Sequence, residues 1–331
     1  MTCTRGVCLV LIAISLAGLE PALSQSGSQA HRGLREELLP GFRSNQSLTS
    51  SRPVDAAHDP VVLGLAKAKV YKFATVDYPG AAFSLAVDAN LSTVVGAFNY
   101  NPSGSSSTLE TAFILKNGAY QTLSVPGAQA SAAEGINTGG QIVGFYVDSS
   151  PTLHGFLDTA GSFTNIDFPG GTASLARSIN DSGEIVGAYA DTNSAAHGFL
   201  DDAGVFTSVD YPGATATECS GINFAGDIVG IWEDASFNAH GFLLSGGVFS
   251  SIDFPLGSNT TPFGINDSGE IAGYYQDAGL VTHGFLYSAG AFTRVDVVGA
   301  AQAELLRIKN NGTITGAFTD ALGEAHGLKG H

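Results

Sequence analysis

The tripeptide His-Gly-Phe recurs at His154, His197, His240 and His283, and His326 opens a His-Gly-Leu variant, with 43 residues between successive copies. Thr111-Ala112-Phe113 stands one step further upstream as a degenerate copy. The Gly that closes a second motif, Ile-Val-Gly in its commonest form, keeps the same spacing at Gly144, Gly187, Gly230, Gly273 and Gly316. Gly96 is its first counterpart, displaced by an insertion around Asn101–Thr108. A fixed period of this length means one supersecondary unit per repeat, and the chain must be read as an array of them.

The third copy shows what the unit is. Ser178-Ile179-Asn180 ends a short strand, and Asp181-Ser182-Gly183 is a turn with Gly where positive φ is needed. Glu184 to Asp191 reads as a second strand, His197 to Asp201 as a third and Val205 to Asp210 as a fourth, with Asp202-Ala203-Gly204 as the hairpin between the last two. Tyr211-Pro212-Gly213 carries the chain onward, because Pro fixes φ and Gly permits reversal. Four strands joined by short turns in 43 residues predict a propeller blade. Helical repeats of similar length are excluded by the density of Gly, Pro and period-2 alternation.

Counting strands predicts an all-β, six-bladed β-propeller. Second and third strands each number six, but the last copy ends at His326-Gly327-Leu328 without its fourth strand. A spare fourth strand, Tyr71 to Asp77, precedes the first full copy and is followed by the same Tyr78-Pro79-Gly80. The N-terminal strand is therefore expected to complete the last blade and close the ring.

The pattern GINDSGEIVG…HGFL…FTxID[FY]PG, recurring in register over about residues 70–331, resembles the HAF-type extracellular repeat of exported bacterial proteins. The resemblance implies an exported repeat protein and transfers no activity. The first copy departs most, with Thr111 for His, Tyr100 for Asp and Val125 for the aromatic before Pro. The last has Lys309 for Asn and Val297-Val298 for aromatic-Pro.

The chain ahead of the array differs. Arg5, an apolar run from Val7 to Leu19 and small residues at Ala22-Leu23-Ser24 read as a signal peptide over residues 1–24, too short for a membrane span. Residues 25–68 read as a flexible leader, and 69–331 as the propeller. The mature protein is expected to be secreted, periplasmic or at the cell surface, without a membrane span, and monomeric. Cys3 and Cys8 fall within the signal, leaving Cys219 as a small buried hydrophobe and no internal disulfide. Fourteen basic against 30 acidic residues argue against a nucleic-acid partner and against anionic lipid.

Two sets of polar residues stand out. Asp148, Asp191, Asp234, Asp277 and Asp320 each lie six residues before His154, His197, His240, His283 and His326, and a fourth-strand Asp, such as Asp210, ends at the same blade edge. Asp191 and His197 are expected to face each other, with Tyr189 and Phe199 as the next pair. A metal or acid–base ring competes with a hydrogen-bond network that holds each blade's loops. The network explains why the set recurs blade after blade, so no catalytic residue, cofactor or metal is assigned. The Asn180–Glu184 and Asn266–Glu270 turns read as Asx-type turns rather than calcium loops.

The second set does not repeat. Glu134, Arg177, Ser220, Phe263 and Leu306 occupy equivalent sites on the innermost strand, with Glu218, Glu304 and Arg307 beside them, and Trp232, Glu233 and Phe237 are peculiar to the fourth copy. They predict a ligand site formed by Glu134, Arg177, Glu218, Trp232, Phe263, Glu304 and Arg307 at the mouth where the second-to-third and fourth-to-first connections emerge. The function this suggests is a non-enzymatic binding or scaffold module for a polysaccharide or cell-envelope protein. A polysaccharide hydrolase or lyase using Glu134, Glu218 or Glu304 with Arg177 is the alternative, and a purely structural surface protein is a third.

Overall fold

A computed structural model of the protein describes residues 71–99 and 110–331. The expected signal and leader segments, and the insertion around Asn101–Thr108, lie outside the described residues. Six four-stranded antiparallel sheets form the six blades of a propeller. In blade three the strands are Ala173–Ile179, Ile185–Ala190, Ala196–Asp202 and Val205–Val209, in that order from the axis outward. The first strand of each blade contacts the first strands of both neighbours, so these six line the axis.

The sixth blade takes its outer strand from the other end of the chain. Phe73–Val76 pairs antiparallel with Ala325–Gly330, Phe73 opposite Gly330 and Val76 opposite Gly327. The ring is thus closed by backbone hydrogen bonds between the two ends of the array, which gives the last blade the same four strands as the other five.

The His-Gly-Phe motif now has a physical reading. Phe199 and its counterparts Phe113, Phe156, Phe242 and Phe285 are fully buried at the centre of five blades' cores, and Leu328 takes that place in the sixth. Opposite Phe199 stands Gly187, where a Cβ would lie 2.0 Å from the Leu175 carbonyl oxygen and 3.0 Å from the Phe199 ring. Gly198 lets the next blade approach, since a Cβ there would stand 2.6 Å from Cys219 Sγ. Cys219 is wholly buried, and burial pushes its thiol well up from its ordinary value.

The expected register at the second-to-third hairpin is corrected. Tyr189, not Asp191, stands opposite His197, and Phe199 stands opposite Gly187. Asp191 begins the loop instead, where its Oδ1 accepts from the amides of Asn193 and Ala195. The carboxylate is worth more as an acceptor for those turn amides than as one member of a cross-strand pair.

One irregularity repeats in all six blades. The pairing of each first strand with its second slips by one residue, at Val87, Glu134, Arg177, Ser220, Phe263 and Leu306. Each is a β-bulge residue, unpaired by the ladder and placed on the axial strand. These are the non-repeating sites noted from the sequence.

Candidate functional site

The bulges fill the axis. Glu134, Arg177, Phe263, Leu306 and Val87 surround a residual void of about 10 Å³, room for about one water. Arg177 donates from Nε to Glu218 Oε1 at 2.7 Å and from Nη1 to Glu134 Oε2 at 3.1 Å, and all three side chains are buried. Burial alone would push the Arg177 guanidinium down, but the two carboxylates beside it hold it above its ordinary value. The Glu218 carboxyl is pushed up by burial, with Arg177 pulling the other way.

Arg307 completes the plug. Its guanidinium donates to the carbonyl oxygens of Phe263, Leu306, Glu134 and Arg177. All four belong to bulge residues, whose backbone the sheet ladders leave without regular partners. The Phe263 ring lies beneath, 4.6 Å from the Arg307 guanidinium carbon.

The expected ligand site is therefore corrected. Glu134, Arg177, Glu218, Phe263, Glu304 and Arg307 are buried in the channel rather than displayed at a mouth. Six converging strands leave too little space for these side chains to reach solvent, and Arg177 and Arg307 find their partners inside the channel. The acid–base set built on Glu134, Glu218 or Glu304 with Arg177 is out of reach of a polymer for the same reason. Trp232 lies elsewhere, stacked between Tyr211 (ring centroids 4.3 Å apart) and His240 (4.6 Å).

That stack explains the recurring His. In blade three the linker ring of Phe168 lies 3.7 Å from Tyr189, and Tyr189 lies 5.1 Å from His197. His197 Nδ1 donates to Asp210, at 2.9 Å, and Nε2 stands 3.9 Å from Asp191. His154, His240, His283 and His326 make the same Nδ1 bond to Asp167, Asp253, Asp296 and Asp77. Asp148, Asp234, Asp277 and Asp320 stand at the Nε2 side of the respective rings. In blade six the acceptor is Asp77, so His326 ties the closing strand to its neighbour.

A wider axial cavity opens on the opposite face, among the first-to-second turns. It is a funnel of about 220 Å³ lined by equivalent residues of all six blades. Ile136, Ile179, Ile222, Ile265 and Ile308, with Ala89, form its floor. Above them stands a collar of Asn90, Asn137, Asn180, Asn223, Asn266 and Lys309.

The collar is an inter-blade bond system. The Nδ2 groups of Asn90, Asn137, Asn180 and Asn223 each donate to the main-chain carbonyl of the next collar residue. Meanwhile Asn180 Oδ1 accepts from the amides of Ser182 and Glu184, closing its turn. At the ring closure Lys309 replaces Asn and reaches further, to Asp88 at 2.7 Å and the Ile136 carbonyl at 3.2 Å. As a string, Asn180 is legible only as a turn former, without its second bond. Five Asn residues in register, with a substitution only at the closing blade, were the available signal.

One residue beyond the collar, the rim abandons the repeat. The six equivalent positions carry Leu91, Thr138, Asp181, Phe224, Asp267 and Asn310, all exposed. Thr138 and Phe224 donate their amides to Asp181 and Asp267 of the following blades, and the Asp267 amide donates to Asn310 Oδ1. A regular frame thus holds an irregular edge: two apolar platforms, two carboxylates, an amide and a hydroxyl around an apolar floor.

No protein-family model and no characterised protein sequence matches the chain. Solved structures do. TolB from Acinetobacter baumannii superposes with a TM-score of 0.53 at 13% identity, over 72% of this chain and 64% of that one. AofleA from Arthrobotrys oligospora gives 0.50 at 12% identity, over 78% and 85%. Aleuria aurantia lectin, described as a six-bladed β-propeller with a fucose recognition mode, gives 0.47 at 12% identity, over 75% and 93%. At these identities the likeness bears on the fold. Among the described residues no helix is long and apolar enough to cross a membrane.

Proposed function

We propose that this protein is an exported, non-enzymatic binding module that takes an uncharged polysaccharide segment into the axial funnel. The observation that carries the reading is the contrast between collar and rim. Five of six collar positions are Asn, whereas the six rim positions carry five different residue types. Uniformity there maintains the frame; variety one residue further out suits recognition of an asymmetric ligand.

The chemistry suits a sugar. Phe224, 61% exposed, offers a flat apolar face at the edge, and Asp181, Asn310 and Thr138 offer acceptors and donors for hydroxyl groups. Asp181 and Asp267 disfavour acidic glycans, and the chain's net charge of −16 acts in the same sense. Export rests on the N-terminal charge and apolar run and on the likeness of the repeat to HAF-type sequences.

The test is a glycan array probed with the full chain and with Phe224→Ala. Saturable binding to neutral polysaccharide, weakened about tenfold or more by the substitution, supports the reading. Binding that ignores Phe224→Ala, or silence across the array, overturns it.

A further inference from the structure

The five His clamps are alike except for one. In blade six the loop that runs from Asp320 to His326 carries Glu324, where the corresponding positions hold Thr152, Ala195, Asn238 and Val281. Asp320, Glu324 and His326 each offer a ligand atom, and these atoms all lie within 4.8 Å of one another. No other blade brings a third such group to its His and loop Asp among the described residues.

The His326 clamp is built like the other four, and Glu324 is what sets it apart. A carboxylate can only accept, so the bond of 3.0 Å between His326 Nδ1 and Asp77 places the ring proton on Nδ1. Nε2 then faces Asp320 Oδ2 across 3.8 Å, too far for a hydrogen bond. The other oxygen, Asp320 Oδ1, is already committed to the amides of Leu322 and Glu324. One ring nitrogen and two carboxylates therefore converge on one point, while the other ring nitrogen is held by Asp77.

We propose that Asp320, Glu324 and His326 form a binding site for a divalent transition-metal ion such as zinc, with Asp77 orienting the imidazole from behind. One nitrogen and two oxygen donors suit Zn²⁺ and its first-row neighbours. Bond lengths of about 2.0–2.2 Å draw three donors to within about 3.5 Å of each other, a short adjustment for the exposed Glu324 side chain. The carboxylate bonded to the far ring nitrogen is the usual outer partner of a metal-bound His. Because Asp77 belongs to the N-terminal strand and the three ligands to the C-terminal ones, the ion reinforces the junction that closes the ring.

Zinc titration of the full chain by calorimetry, with a parallel thermal melt, tests the proposal. The informative variant is Glu324→Ala, which restores the residue that blade three tolerates at Ala195 and leaves every clamp bond in place. The expected result is one zinc equivalent in the wild type that is absent, or at least tenfold weaker, in Glu324→Ala. Saturating zinc should also raise Tm by several degrees in the wild type alone. The reciprocal change, Ala195→Glu, should create a further equivalent beside Asp191 and His197. Identical isotherms for wild type and Glu324→Ala, or no zinc uptake by the wild type at micromolar concentration, would overturn it.

Discussion

Arg307 donates a hydrogen bond of 2.7 Å to the main-chain carbonyl of Arg177, three blades away on the far side of the axis. The bond joins the closing blade to the diametrically opposite one through the centre of the molecule. It exists because each axial strand bulges, turning carbonyls toward the channel that no ladder can use. One guanidinium, with its five donors in a fixed plane, can collect several of them at once.

Replacing Arg307 by Met should therefore cost more than its buried volume suggests. The aliphatic stem survives, but the carbonyls of Glu134, Arg177, Phe263 and Leu306 lose a shared charged donor. A loss of about 3–5 kcal/mol is expected from breaking a buried charged network. Urea unfolding of the two proteins measures it, and a difference below about 1 kcal/mol would mean that bound water does the same task.

The ring closure gives a second expectation. Deleting Tyr71 to Asp77 removes the strand paired with Ala325–Gly330 and the Asp77 partner of His326. The exposed edge should promote association, and the truncated chain should melt lower and elute as oligomers in size-exclusion chromatography. Asp77→Asn keeps the strand and alters only the clamp, so it should lower Tm slightly without oligomerisation.

Stability should depend on pH from both sides. Burial works against the proton on His283, but hydrogen bonds to Asp296 and Asp277 outweigh it and raise the imidazole above its ordinary value. Its contribution is then complete below the unfolded value near 6.5 and fades as pH rises through the folded one. Asp148, Asp191, Asp234 and Asp320 are held below the usual carboxylate range, chiefly by the loop amides of Thr152, Ala195, Asn238 and Glu324. Asp234 goes down to about 2. Their contribution is present above about 3.8 and disappears as pH falls through the lowered values. Tm should thus be highest between about pH 4 and 6.5. His283→Gln should flatten the alkaline side of the profile and also soften the acid side, because His283 helps to hold the Asp296 and Asp277 carboxyls down; a series of melts from pH 2 to 9 would show both.

Much of this architecture could be read from residue spacing. The 43-residue step, the spare strand at Tyr71 and the missing one after His326 determine blade number and closure, because strand count is a property of sequence order. The His–Asp pairing was legible for the same reason, through its recurrence. Burial was not legible. Glu134, Arg177, Glu218 and Arg307 look like a recognition set because charged, non-repeating residues usually face solvent. Only the bulge in each axial strand turns them into a plug, and nothing in a single strand's pattern announces a bulge. The funnel was missed through the same gap. Its floor and collar are built from the most regular residues of the repeat, which as a string look purely structural.

A tryptophan reporter distinguishes the funnel from the opposite face as the ligand site. The chain has one native Trp, Trp232, stacked in the blade-four clamp and absent from the funnel lining. Phe224→Trp keeps an aromatic platform at the rim and adds a second emitter there. Titration of wild type and variant with neutral oligosaccharides should give a saturable emission change that appears only in Phe224→Trp. A change carried by Trp232 in the wild type, with Phe224→Trp adding nothing, would place the ligand on the opposite face and contradict it.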